Sequence, residues 1–132
     1  IAHEINTPLG AIKAIAEDSG NIYKKCTNDL YTLFQKLSPE QIDHFFYIIN
    51  HWKKRHQFLT TKEERDLIKS LEAQLKERSI EKPGFIARKL IHVDIFEIDE
   101  SLNAFVGPYF NEVVDVLYSI FLIEKNNDIT YT

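Results

Sequence analysis

Ten residues near the start of the chain, Ile5, Leu9, Ile12, Ala16, Ser19, Tyr23, Cys26, Leu30, Leu33 and Leu37, recur at alternating intervals of four and three. Only a helix gathers such a series onto one stripe, and an unbroken heptad stripe is a surface that another helix must cover. Ala16 and Ser19 weaken its middle, and Gly20 costs a helix roughly 1 kcal/mol relative to Ala. The expectation is one long helix reaching about Leu37, packed against a partner helix or another chain.

The remainder also reads as helix. Ser38-Pro39-Glu40-Gln41 is a start signal, with Ser38 as cap, Pro39 at the first helical position and Gln41 returning the capping bond. Ile42, Phe45, Phe46, Ile49 and Trp52 then form the inward face of a second helix ending near His56. Thr60 and Thr61 each precede a Glu by three residues, so either caps a third helix from about Lys62 to Arg78, with Ile68, Leu71 and Leu75 inward. Lys82-Pro83-Gly84 breaks the chain before a short helix carrying Phe85, Ile86, Leu90 and Val93. From Asp94 to Asn103 a turn and a short helix are expected, although Ile95, Phe96 and Ile98 have the composition of a strand. A last helix, about Tyr109 to Lys125, is apolar on most sides and should be the most buried element. Asn126-Asn127-Asp128 should end it, with another helix beginning at Ile129. The fold class is therefore all-α: a long first helix followed by a bundle-like set of shorter ones.

Composition narrows the function. The 16 basic and 20 acidic residues are well mixed and give a net charge of -4, so no basic stripe invites nucleic acid. The stretch from Val113 to Ile123 is too short to span a membrane and is broken by Asp115, so no membrane contact and no secretory leader are expected. With Cys26 as the sole cysteine there is no internal disulfide, and a reducing, cytoplasmic setting fits, whether or not a longer parent is membrane-anchored. The chain holds no Met and opens at Ile1, so it reads as a piece of a longer protein.

The chemistry concentrates at the front. With Ile5 and Leu9 on the seam, His3 and Thr7 fall on the opposite, solvent-facing side, four residues apart. A neutral imidazole has an ordinary pKa of ~6.5, so one of its ring nitrogens is a nucleophile near neutral pH. Glu4 beside it can fix the tautomer and help move a proton. Pro8 removes a ladder donor and should bend the helix just after this face. A surface His on a helix is usually only a solvated residue. Here, however, His3-Glu4-Ile5-Asn6-Thr7-Pro8-Leu9, followed by Gly10-Ala11-Ile12, resembles the H-box of two-component sensor histidine kinases, H-E-x-x-T/N-P-L, in their dimerisation and histidine-phosphotransfer region.

That resemblance implies roles. His3 would be the phospho-acceptor, Glu4 its acid–base assistant, and Thr7 the residue that orients water for dephosphorylating the partner regulator. The implied partners are an ATP-binding catalytic domain, a response-regulator receiver domain and a second copy of the chain. ATP and Mg²⁺ belong to the parent kinase. This chain has no N-box, no D-x-G-x-G loop and no other Gly-rich phosphate cradle, so it should accept phosphate without binding a cofactor or nucleotide itself. In such kinases the second hairpin helix follows the first after a small loop. Here an insertion from about Ser38 to Asn127 intervenes. The runs Leu37-Ser38-Pro39-Glu40 and Thr61-Lys62-Glu63-Glu64-Arg65 resemble the helical insertion of a subset of bacterial sensor kinases. The expected organisation is residues 1–37 as acceptor helix, 38–127 as insertion and 128–132 as the start of the second hairpin helix, packed as one unit.

Other candidates have plainer readings. His44, His51 and His56 are spaced by seven and five, unlike the i,i+4 pair of a helical zinc site. Asp94, Glu97, Asp99 and Glu100 lack the alternating ligands and central Gly of a calcium loop, so capping and a solvated turn explain them. Cys26 reads as a small buried hydrophobe. Trp52 and Phe45-Phe46 read as core, with a ligand pocket as the lesser reading. The competing function is a non-catalytic helical module that binds a partner or senses a signal while His3 stays idle.

Overall fold

The computed structural model describes residues 24–54 and 58–130, with side chains as far as Lys125. All regular structure among them is helical: α1 (24–34), α2 (Pro39–His51), α3 (Thr61–Glu77), α4 (Pro83–His92), α5 (Glu100–Asn103) and α6 (Phe110–Thr130).

The helix starts follow from local chemistry. At α2 the Ser38 hydroxyl accepts the Gln41 N–H while the Gln41 side chain accepts the Ser38 N–H, and Pro39 supplies a φ already suited to the first turn. Thr60, not Thr61, makes the same reciprocal pair with Glu63 at α3. Asp99 caps α5 through the Leu102 N–H at 2.8 Å. The stretch from Asp94 to Asp99 is turn and irregular chain, as expected, despite its strand-like composition.

Two helix ends depart from expectation. α2 stops at His51, short of His56, with Trp52 already extended. The cause is tertiary: the Trp52 indole N–H donates to the Val93 carbonyl at 2.6 Å, and its ring stacks on Phe121 at 4.4 Å and 6°. α6 does not stop at Asn126-Asn127-Asp128 but runs on to Thr130. Asn and Asp cost an established helix only about 0.5 kcal/mol each, and neither Gly nor Pro follows to end it.

The helix exits at α3 and α4 share one device. Beyond α3, the Ile80 N–H reaches the Leu75 carbonyl and the Ser79 N–H that of Lys76; beyond α4, Ile95 and Asp94 repeat the pattern on Leu90 and Ile91. These are Schellman closures, and both put a non-glycine residue in the left-handed region, Ser79 at φ 58° and Asp94 at φ 63°. Asp94 is also ion-paired to Lys125 at 3.4 Å, whereas Ser79 is exposed. Ser79→Gly should therefore raise stability by about 1 kcal/mol. Urea unfolding would show this as a higher midpoint with unchanged slope, and an unchanged or lower midpoint would disprove the strain.

One core joins every helix. Phe45, Leu71, Leu75, Ala87, Val113, Leu117 and Phe121 are fully enclosed, and α6 contributes the most, with Phe110, Val114 and Val116 buried as well. α3 lies against α4, α5 against α2, and α4 against α6. Two residues expected on inward faces point outward. Phe46 is 45% exposed and Phe85 54% exposed. Each lies one position, or ~100°, away from a buried neighbour, Phe45 and Ile86. No described helix is long and apolar enough to cross a membrane.

Candidate functional site

The motif residues His3, Glu4, Thr7 and Pro8, and the seam residues Ile5 to Tyr23, lie outside the described residues. The structure does place the far end of the same seam. Cys26, Leu33 and Leu37 are buried and Leu30 is half-buried. Leu33 and Leu37 sit in the common core, so this part of the stripe is covered by the chain itself, not by another molecule. Phe34 meets Phe45 edge-on at 5.2 Å and Phe46 at 5.6 Å. The Lys36 ammonium, at the close of α1, pairs with Glu112 of α6 at 3.0 Å and lies 5.7 Å from the Tyr109 ring centre. α1 is thus anchored at its end by α2 and by the first turn of α6.

Burial first, and then the nearby Asp29 carboxylate, push the Cys26 thiol above its usual range. Both disfavour the thiolate, the form in which a cysteine reacts, in keeping with a packing role. Its contribution to folding is present below the unfolded-state thiol pKa and is lost as pH rises through the higher folded value.

His44 and His51 both lie on α2, while His56 lies outside the described residues. His51 stacks on Tyr47 at 3.9 Å and donates Nδ1–H to the Tyr47 carbonyl at 2.9 Å, which leaves Nε2 as the lone-pair nitrogen of the neutral ring. Among the described residues no group of three or more His, Cys, Asp or Glu could hold a metal ion. The acidic cluster serves structure, with Asp99 as a cap and Asp94 in an ion pair at a helix exit.

Two arrangements go beyond the sequence reading, which held a pocket at Trp52 only as its lesser alternative. The first is a groove of about 340 Å³ between the last turn of α2 and the 94–99 connection. Tyr47, Ile48, His51 and Trp52 line one side, and Ile95, Phe96 and Glu97 the other. Trp52 was legible as an apolar anchor, but nothing local announces that the connection returns opposite it. The second is a polar seam between α4 and α6. Lys89 pairs with Asp115 at 2.6 Å, His92 Nδ1 and the Tyr118 hydroxyl share a 2.9 Å hydrogen bond, and Lys125 donates to the His92 carbonyl at 2.8 Å. Lys89 also lies 4.7 Å from the centre of the exposed Phe85 ring. The ion-paired and hydrogen-bonded partners are 26 to 33 residues apart in the chain, beyond the reach of any local pattern.

Comparison with known proteins adds no relative: no protein-family model, curated sequence or solved structure matches the chain.

Proposed function

We propose that residues 38–127 form a non-catalytic helical module, for interaction or signal sensing, clamped to the phospho-acceptor helix of a sensor histidine kinase. The observation that carries this reading is the complete burial of Leu33 in the module's core. α1 thus ends as a structural member of the bundle. A rearrangement of the bundle would therefore act on α1 through Leu33, Leu37 and the Lys36–Glu112 pair.

The acceptor half of the proposal is supported by the sequence run His3 to Leu9. On this reading a separate catalytic domain holds ATP and Mg²⁺, His3 takes the γ-phosphoryl group, and an aspartate of a receiver domain takes it in turn. A cytoplasmic setting follows for the acceptor, since both partners must reach it.

Phosphopeptide mapping tests the division of labour. The chain is incubated with Mg·ATP and the ATP-binding domain of a sensor kinase, then digested at a pH that preserves phosphohistidine. Acid-labile phosphate is expected in the peptide containing His3. Phosphate found instead on peptides containing His44, His51 or His92 would overturn the assignment of the bundle as non-catalytic.

A further inference from the structure

We infer that the groove between α2 and the 94–99 connection binds a small organic ammonium ion with an apolar body. It shares no lining residue with the run His3 to Leu9 and stands or falls independently of phosphorylation at His3.

Three features carry the inference. The first is size: at about 340 Å³ the groove falls in the range of small-ligand pockets. The second is rigidity. Trp52 is fixed by its bond to the Val93 carbonyl and its stack on Phe121, and His51 by its bond to the Tyr47 carbonyl and its stack on the Tyr47 ring. Walls held in this way lose little entropy when a ligand enters. The third is complementarity. Tyr47, Trp52 and Phe96 supply aromatic surface beside the apolar Ile48, Ile95 and Leu102. Among the described lining residues the carboxylates of Asp94, Glu97 and Asp99 stand against the single ammonium of Lys53. Asp94 is partly neutralised by Lys125, and Asp99 by its cap bond, so the exposed Glu97 is the carboxylate best placed to answer a ligand's charge. Aromatic faces beside carboxylates favour a cation over a neutral or anionic molecule of the same shape.

Trp52 is the only tryptophan of the chain, so its fluorescence reports this groove. The full chain is titrated with phenethylammonium, with its neutral isostere 2-phenylethanol, and with phenylacetate. The expected result is a saturable change with the cation, about tenfold tighter than with the alcohol, and weaker still with the anion. Added salt should weaken the cation's binding. Glu97→Gln, at an exposed position, should leave the circular dichroism spectrum unchanged and bring the cation and the alcohol to similar affinity. The proposal is overturned by the absence of a saturable change with the cation, by equal affinity for all three probes, or by a Glu97→Gln variant that discriminates as well as the parent chain.

Discussion

Replacing His3 by Gln is expected to abolish acid-labile labelling when the ATP-binding domain of a sensor kinase and Mg·ATP are supplied in trans. An amide offers no ring nitrogen to attack the γ-phosphorus, so the loss should be complete. Glu4→Gln keeps the shape but removes the base, and should slow labelling by ~10²–10⁴-fold, the usual worth of a positioned acid–base group. Thr7→Ala should spare labelling and impair dephosphorylation of a receiver domain. His44, His51 and His92 supply the internal control, because their Gln variants should label at the parent rate. His3 is the only one of the five histidines followed by an acid, then a Thr four residues on, then Pro. If His3→Gln still takes up acid-labile phosphate at the parent rate, the acceptor is elsewhere and the H-box resemblance has misled.

The second large effect is structural. Phe45 is fully enclosed and meets Phe34, Phe46 and Phe105 edge-on at 5.2, 6.2 and 6.5 Å. Truncating it to Ala removes the buried ring and leaves a cavity bordered by residues of α1, α2 and the segment after α5. A cost of ~3–5 kcal/mol is expected, a large share of the ~5–15 kcal/mol that holds a domain of this size together. Phe46→Ala, one residue on and half in water, should cost about 1 kcal/mol. Denaturant unfolding of the two variants side by side measures the contrast. Similar midpoints would mean that Phe45 is not the keystone its enclosure indicates.

Helix starts were legible in the sequence because a cap is local: Ser38 with Gln41, Thr60 with Glu63 and Pro83 at a first turn state their roles within four residues. The core stripes of α2, α3 and α6 were legible for the same reason, since a period of 3.6 needs one helix to show it. The ends of α2 and α6 were not, whereas α3 closes at Glu77, within a residue of the expected Arg78. Trp52 leaves the helical path because of Val93 and Phe121, 41 and 69 positions away, and no pattern in residues 50–56 contains that information. Ser79 and Asp94 occupy left-handed exits that a glycine would have advertised. The acceptor motif is the reverse case. It rests wholly on a run of consecutive residues, while the groove near Trp52 rests wholly on chain segments that meet only after folding.

The ion pair between Lys36 and Glu112 joins positions 76 residues apart. During synthesis at ~5–20 residues per second, about 4–15 s separate the emergence of the two partners. Through that interval Lys36 at the exit of α1 lacks its ion-pair partner, while Phe34 can already meet Phe45 and Phe46 of α2. The order of translation thus lets α1 dock first on α2 and gain its α6 contact only once residues 109–112 have emerged.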